Sequence, residues 1–421
     1  MFCTHDKPDS LGGPFTWLRN LLPALRDCGV ESRVLALTHY GGTGPVVESL
    51  RADGFEVAVS DCHTRTIDDV RWILTQLQAD PPRVFIPNFV VPAYFAARWL
   101  RQAGAATVAV LHSDDPWYRA LQSEFVFGDP AWRVSNVVSV SQHLHAQVAC
   151  GGLLPDQTAL YIPYGVHVPG TVARPSQSPF RIAYLGRLAE TQKRISLVME
   201  TLLTVCREVP NTEAVIYGDG PERQVVLDAR QQVGPRLPIH WMGSIDSANV
   251  PAVLQNVHAV LLMSDFEGLP ISLLEGMAAG CVAIASKMQS GIPQLIQSWQ
   301  TGVLVDQTPA SVVSAVRRLV AEPELTCSIA EAGRNVVLQK YSHQISVELW
   351  VDLLTARLGT RQPSKFQIPA RISLPSKNSL LESAERRLPP DTPLRKRLQR
   401  LRIGLGALRQ RLRGGPRKTQ Q

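Results

Sequence analysis

The feature that most constrains this chain is an alternation of short β-rich runs with longer helical patterns, which continues almost from end to end. Near-continuous apolar runs separated by helices are typical of parallel sheets that helices cover on both faces. In the first half these runs are RVLAL, EVAV, RVFIPN, TVAVLH, VVSVS and ALYIPYGV. After the stretch VPGTVARPSQSPF the pattern restarts with RIAYLG, EAVIYG, IHWMG, AVLLMS, CVAIAS and GVLVD. The sequence therefore predicts an α/β fold.

The restart divides the 421 residues into two halves, each long enough for a core of its own. We predict two Rossmann-like, doubly wound domains that face a cleft, at residues 1–170 and 180–340. A closing helix at 341–360 and a basic linker and tail at 361–421 follow. Only MFCTH precedes the first glycine loop, so we expect the first strand to be short or incomplete.

Charge is distributed unevenly along the chain. From residue 361 onward there are 16 Lys and Arg against 3 Asp and Glu, whereas residues 1–360 carry 27 against 33. The basicity therefore belongs to a tail, and no nucleic acid partner is expected for the body. Leucines spaced by four and three along 394–413 predict an amphipathic helix. It could lie on an anionic membrane surface, form a short coiled-coil seam or stay solvated.

Cysteine spacing and apolar runs indicate the compartment. The seven cysteines are widely spaced and include no CxxC pair, so neither a disulfide framework nor a zinc site is expected. The N-terminus lacks the layout of a signal peptide, and no apolar run reaches the roughly 18–20 residues of a membrane span. We expect a cytoplasmic protein, which lies at the inner face of the membrane if its tail binds lipid.

The residues that follow the predicted strands are the candidates for ligand binding, because ligands of open parallel sheets lie beyond the carboxyl ends of the strands. In the second half glycine recurs at these positions, where the backbone turns or approaches a ligand. Arg187 and Lys193 flank the first of them and suit a diphosphate, because a helix N-terminus already favours an anion. Taken singly, each glycine could be a turn and each cation a solvated charge.

The stretch SDFEGLPISLLEGMAAG, residues 264–280, places two carboxylates eight positions apart across a strand-to-helix crossing. Pro270 suits the first turn of a helix, so Glu267 falls in the loop and Glu275 within the helix. They do not face one another as a glycosidase pair would. We predict that each accepts hydrogen bonds from a different part of one elongated, hydroxyl-bearing ligand.

Together these loops resemble the family-4 retaining glycosyltransferases (glycosyl transferases group 1), which have two Rossmann-like domains in the GT-B architecture. FEGLPISLLEGMAAGCVAIAS is similar to that family's Glu-x7-Glu signature, and GRLAETQKRISLVME, IYGDGPE, WMGSI, SGIPQLI and TGVLV follow in the family's order. The resemblance is specific over residues 180–340 and weak over 10–170. It implies a nucleotide-sugar domain in the second half and an acceptor-side domain in the first.

The resemblance also implies roles for single residues. Arg187 and Lys193 would hold the donor diphosphate, Glu267 would contact the donor sugar, and Glu275 the ribose hydroxyls. His112 matches a histidine beside the sugar and acceptor, although a lone histidine at a strand end is often structural. The remaining expected donor-binding residues are Gly12 and Gly13 from the first domain, and Gly218, Gly220, Gly243, Gly268, Leu269 and Pro270 from the second. The sequence departs from the family at Tyr164 to His167, where the family has Asn-Gly-Val-Asp.

The implied reaction is the retaining transfer of a hexose from a nucleoside diphosphate sugar to a hydroxyl of a glycan or lipid-linked acceptor. The expected catalytic residues are Glu267, Arg187, Lys193 and His112, with no cofactor and no metal. Asp114 and Asp115 are interpreted as loop carboxylates. Alternatives are an epimerase or phosphorylase of the same architecture, or a sugar-nucleotide-binding protein without transfer activity. We expect Lys193→Ala to lose most turnover while folding normally.

Overall fold

The computed structural model describes residues 1–7, 12–39, 42–173, 178–358, 362–376 and 378–381. The amphipathic helix predicted at 394–413 lies outside these residues. Among the helices that are described, none is both long enough and apolar enough to cross a membrane.

The first lobe alternates strands with helices. Its elements are β1 (Phe2–Asp6), α1 (Gly13–Asp27), β2 (Val34–Thr38), α2 (Pro45–Ala52), β3 (Val57–Asp61), α3 (Thr66–Ala79), β4 (Val84–Phe85), α4 (Val91–Gln102), β5 (Ala106–Leu111), α5 (Pro116–Phe125), β6 (Asn136–Ser139), α6 (Gln142–Cys150) and β7 (Thr158–Tyr161). All of its strand pairs are parallel.

The strand order of the first lobe is that of a doubly wound sheet. One group of strands has the order β1-β2-β3 and the other β4-β5-β6-β7. A parallel bridge between Phe2 and Ile86 joins them, and the N–H of Cys3 donates to the Ile86 carbonyl at 2.9 Å. The combined order is therefore 3-2-1-4-5-6-7. The first strand has five residues, as β2 and β3 do, so the expectation of a short first strand is wrong.

The second lobe repeats the plan. Its elements are β8 (Phe180–Leu185), α7 (Glu190–Lys193), α8 (Ile195–Glu208), β9 (Thr212–Tyr217), α9 (Arg223–Val233), β10 (Ile239–Gly243), α10 (Val250–Leu254), β11 (Ala259–Leu262), α11 (Ile271–Ala279), β12 (Val282–Ser286), α12 (Ile292–Leu295), β13 (Val303–Val305), α13 (Pro309–Ala321) and α14 (Pro323–Lys340). The sheet order is β10-β9-β8-β11-β12-β13, again 3-2-1-4-5-6 from the lobe's first strand. The predicted pair of Rossmann-like sheets is confirmed.

Residue types explain why these elements form. Strands such as β2 (VLALT) and β12 (VAIAS) are buried along their whole length, because helices cover both faces of a parallel sheet. Four of the described α-helices begin at a side chain that accepts a backbone N–H from the first turn. These capping residues are Asp115 before α5, Ser141 before α6, Thr308 before α13 and Ser342 before the helix His343–Asp352.

The chain crosses between the lobes twice, and the two crossings lie side by side. The first is the connection from β7 to β8, and the second leads from α14 to α15 (His343–Asp352), a helix that packs on α1. At the crossings the N–H of Val166 donates to the Tyr341 carbonyl at 3.0 Å, and the N–H of His343 donates to the Val166 carbonyl at 2.8 Å. Trp350 of α15 lies 5.5 Å from Trp17, measured between ring centroids.

Candidate functional site

The carboxyl ends of β8 and β9 meet closely because glycine occupies the critical positions. Gly218 has a φ of +145°, and a Cβ there would run into the Gly186 carbonyl. A Cβ on Gly220 would likewise run into the Leu188 carbonyl. The N–H of Gly218 donates to the Gly243 carbonyl of the next strand exit at 2.8 Å. These glycines allow three strand exits to lie close together at one edge of the sheet.

Two of the predicted site residues, one after β8 and one after β11, form an ion pair. Lys193 at the end of α7 donates to a carboxylate oxygen of Glu267 at 2.6 Å, and the two side chains are 15% and 8% exposed. Neighbouring contacts fix both partners: the N–H of Asp265 donates to the Gln192 carbonyl at 2.9 Å, and the Gln192 amide donates to the Phe266 carbonyl at 3.2 Å. The pair is therefore a built feature of the cleft wall.

Arg187 lies at the adjacent strand exit with an exposed side chain. The backbone carbonyl of Arg187 accepts a hydrogen bond from the hydroxyl of buried Tyr184 at 2.9 Å. Burial raises the pKa of Tyr184, the charge of Glu267 raises it further, and the charge of Arg187 opposes that rise. Both charges therefore act on one phenol. Within the described part of the chain, the Arg187 guanidinium has no ion-pair partner, which leaves it available to an anion.

Backbone contacts bring the two lobes together around this pair. A Cβ on Gly268, next to Glu267, would collide with the carbonyl of His112 in the first lobe. On the other side, Gly13 at the start of α1 would place a Cβ 3.4 Å from Ile271, the first residue of α11. Gly12 before it has a φ of +134°. The predicted glycine loop of the first lobe thus lies beside the second lobe's Glu-bearing helix.

The His112 ring is held from both sides. Its Nε2 lies 2.6 Å from Oδ1 of Asn88, and its Nδ1 lies 2.5 Å from the Tyr164 hydroxyl. Because the amide oxygen only accepts, Nε2 carries the proton and Nδ1 accepts from Tyr164. Asn88 is itself held in a left-handed conformation with φ of 56°, and Tyr94 donates to its carbonyl at 2.6 Å.

Burial sets the protonation of this group. It lowers the pKa of His112 to about 3, so the ring is neutral at physiological pH. Burial also raises the pKa of Tyr164 well above its ordinary value, and the negative charge of Glu267 adds to the rise. The Tyr164 phenol thus lies within electrostatic reach of Glu267 while it bonds His112. The neutral imidazole contributes a dipole at this place but no charge.

Glu275 lies in α11, apart from Glu267. It lines a cavity of about 380 Å³ between the lobes, together with Thr16 and Asn20 of α1 and Ser247 of the second lobe. Burial raises the pKa of Glu275 to about 7. The two glutamates therefore occupy different parts of the cleft, as the strand-loop-helix pattern predicts.

The other predicted donor-binding positions follow the same surface. Leu269 and Pro270 are buried, and Pro270 stands at the N-cap of α11. Gly243 has a φ of +73° and open space where a Cβ would point. The two loop carboxylates after β5 serve the first lobe itself: Asp114 pairs with Arg119 at 2.9 Å, and the Asp115 side chain caps α5.

Sequence reasoning missed Asn88, Tyr164 and Tyr184 as members of the site. Asn88 and Tyr164 lie 24 and 52 residues from His112, and sheet topology alone brings them to it. A signal did exist for Tyr164, since it stands where the resembled family has asparagine. That departure places a phenol against His112.

Comparison with known proteins relates the second lobe to glycosyltransferases. Residues 173–336 match the family model described as Glycosyl transferases group 1. Glycogen synthase of Mycobacterium tuberculosis is 26% identical over 197 residues, which are 46% of this chain and 47% of that protein. Alpha-D-kanosaminyltransferase of Streptomyces kanamyceticus is 30% identical over 166 residues, 38% of this chain and 42% of that protein. The chain thus spans about half the length of the curated relatives it matches.

Solved structures share the fold over most of the chain. The Anabaena protein HepE in complex with UDP has a TM-score of 0.67 at 16% identity, covering 84% of this chain and 99% of that one. An S. aureus TarM mutant in complex with fondaparinux, alpha-GlcNAc-glycerol and UDP has a TM-score of 0.67 at 12% identity, with the same coverage of both chains. The two lobes therefore have the GT-B fold.

Proposed function

We propose that this chain is a retaining glycosyltransferase that moves a sugar from a nucleoside diphosphate sugar to a hydroxyl of a glycan or lipid-linked acceptor. The observation that carries the proposal is the Lys193–Glu267 pair at 2.6 Å, beside the available guanidinium of Arg187 and opposite His112. The family match of residues 173–336 supports the same reaction class. The name of one relative, a GDP-mannose-dependent mannosyltransferase of Mycolicibacterium smegmatis, supports a nucleotide sugar as the donor.

The donor would extend along the cleft wall. Its diphosphate would lie against Arg187, Lys193 and the backbone from Gly268 to Pro270, where the start of α11 adds a favourable dipole. Glu267 would accept a hydroxyl of the sugar, and Glu275 would accept the ribose hydroxyls in the 380 Å³ cavity. Gly218, Gly220 and Gly243 would shape the nucleotide end, and Gly12 and Gly13 would approach the phosphate from the first lobe.

Transfer would be driven by stabilisation of the leaving group. As the bond from the anomeric carbon to the diphosphate breaks, negative charge develops on the phosphate oxygens, and the two cations neutralise it. An acceptor hydroxyl on the same face of the sugar then bonds the anomeric carbon and gives its proton to the departing phosphate. These two steps retain the anomeric configuration and use only this chain's own side chains, so we propose that the reaction needs no metal.

His112 would position the sugar rather than transfer a proton. Its pKa of about 3 keeps it neutral, and Asn88 and Tyr164 occupy both ring nitrogens. A neutral ring held this firmly cannot take a proton at neutral pH. The backbone carbonyl of His112 lies against Gly268. This contact would fix the distance between the first lobe and the loop that carries Glu267.

A donor panel read by thermal shift tests the proposal, because a ligand that binds only the folded state raises the melting temperature. We expect one nucleoside diphosphate sugar to give the largest shift in the wild-type chain and little in Lys193→Ala. The control Lys340→Ala removes an exposed lysine from α14 and should respond like wild type. Equal shifts in all three proteins would contradict the proposed diphosphate site.

Product analysis then separates transfer from its alternatives. With the preferred donor and an acceptor extract, we expect release of nucleoside diphosphate and a glycoside of the same anomeric configuration, read by proton NMR. A changed sugar nucleotide without glycoside would indicate an epimerase. Tight donor binding without turnover would indicate a binding protein.

A further inference from the structure

Three side chains with metal-binding chemistry meet at the carboxyl edge of the first lobe's sheet, outside the donor site. They are His5 of β1, His39 directly after β2 and Cys62 directly after β3. One nitrogen or sulfur atom from each lies within 4.8 Å of the others. His39 and Cys62 are buried, with exposures of 7% and 6%, and His5 is partly accessible.

Sheet register explains why these three meet. His5 pairs with Leu37 across β1 and β2, and residues two apart on a strand point to the same face, so His39 lies on the face of His5. Thr38 pairs with Asp61 across β2 and β3, and the N–H of Cys62 donates to the Thr38 carbonyl at 2.9 Å. The next residues, His39 and Cys62, therefore stand opposite each other.

The spacing fits a metal. Nε2 of His39 lies 3.5 Å from Sγ of Cys62. Tetrahedral zinc with Zn–S of about 2.3 Å and Zn–N of about 2.0–2.1 Å separates a sulfur and a nitrogen ligand by about 3.5 Å. The His5 and His39 rings are 5.5 Å apart between centroids, close enough for nitrogens of both to reach one ion.

His5 supplies an independent indication. Its Nδ1 is buried and has no hydrogen-bond partner among the described residues, and a bound ion or water molecule would satisfy such an atom.

We propose that His5, His39 and Cys62 form a binding site for one zinc ion, which ties together the carboxyl ends of β1, β2 and β3. Binding replaces the proton of the Cys62 thiol: the S–H bond breaks, a zinc–sulfur bond forms and one proton is released to solvent. The fourth position faces the accessible side at His5 and takes water. The ring of Phe89 lies between His5 and His112, and its centroid is 6.2 Å from the His5 ring and 6.4 Å from the His112 ring. The zinc site is therefore separate from the proposed donor site.

Cobalt substitution tests the site on the full chain without a histidine tag. After a chelator strips the protein, Co²⁺ should produce a near-ultraviolet thiolate-to-cobalt charge-transfer band and visible bands of tetrahedral cobalt, and Zn²⁺ should remove both. Cys62→Ser should abolish the charge-transfer band, and His5→Gln or His39→Gln should weaken binding by more than the roughly 10- to 100-fold that loss of a ligand's outer-shell partner costs. Absence of the band in the wild-type chain would overturn the proposal.

Matched controls and a second measurement keep the test independent of folding. His63→Gln changes the adjacent histidine, which pairs with Asp69 at 2.8 Å, and Cys150→Ser removes an exposed cysteine of the same lobe; both should bind cobalt like wild type. In the unmodified chain, Zn²⁺ should slow iodoacetamide alkylation of Cys62 but not of Cys150, read by mass spectrometry. Equal alkylation with and without zinc contradicts the site. Every readout is metal binding, so failure here leaves the proposed transferase function untouched.

Discussion

At the scale of single residues, the Lys193–Glu267 pair has two tasks. Glu267 is only 6% exposed, and a buried carboxylate needs a charged or hydrogen-bonding partner. Lys193 supplies that partner in the free protein and, in our proposal, turns toward the diphosphate when donor binds. The structure therefore modifies the expectation that Lys193→Ala folds normally.

We predict that Lys193→Ala lowers turnover by roughly 10²- to 10³-fold, as loss of one group that stabilises developing charge does. It should also lower the free energy of unfolding by about 3 kcal/mol, because Glu267 stays buried without its partner. The double variant Lys193→Ala/Glu267→Gln removes the unpaired charge and should regain stability but not turnover. Denaturant unfolding and donor turnover measure both. Recovery of activity in the double variant would assign Lys193 a purely structural role.

Glu275 gives a prediction that depends on pH. Its pKa of about 7 in the folded chain exceeds the ordinary value of 4.5, so the folded state holds more protons between these values and wild-type stability falls as pH rises through this window. The Glu275→Gln variant has no carboxyl group at this position, so it does not lose stability in this way. After allowance for partial exposure, we expect it to be about 1–2 kcal/mol more stable than wild type at pH 8 and equal at pH 4, while binding donor more weakly.

Urea unfolding at the two pH values checks the Glu275 prediction. Glu331→Gln, an exposed position of α14, is the control and should follow wild type at both. A Glu275→Gln variant whose stability difference from wild type does not change with pH would contradict the raised pKa.

At the scale of elements, the site depends on how closely strand exits approach. We predict that Gly218→Ala destabilises the chain by about 4 kcal/mol, because its Cβ meets the Gly186 carbonyl and its φ is +145°. Gly29→Ala, after α1, has a φ of +79° but open space around the new Cβ, so it should lose only about 1–2 kcal/mol. Thermal unfolding of both variants measures the difference. Equal losses would show that backbone strain, not the close approach, requires glycine at 218.

How much the sequence could predict depends on the range of the interaction. The alternation of strands and helices and the loop position of Glu267 follow from patterns within a few tens of residues, and both match the structure. The neutral, doubly bonded state of His112 depends on Asn88 and Tyr164, which only the assembled sheet brings to it. For the same reason cysteine spacing predicts no zinc site: Cys62 meets its two histidines through strand register, not through a local motif.

At the scale of the whole molecule, the basic tail remains a prediction from composition. We expect the full chain to float with phosphatidylserine-containing vesicles, because arginines near an anionic surface contribute roughly 1 kcal/mol each. A chain that ends at residue 390 should not float, and high salt should release the full chain because it screens these charges. Neutral vesicles serve as the control. Equal flotation of both chains would rule out membrane binding by residues 394–413.

The paired crossings at Val166 and 341–343 limit how the lobes can move. Two connections hydrogen-bonded side by side would act as one pivot, and we expect the lobes to rotate about a single axis rather than to twist or slide past each other. Opening to admit a nucleotide and shutting upon it would then follow one path, whichever sugar is carried. Selection among sugars would in that case be decided at the end of the rotation, where His112 meets Gly268, rather than along the way.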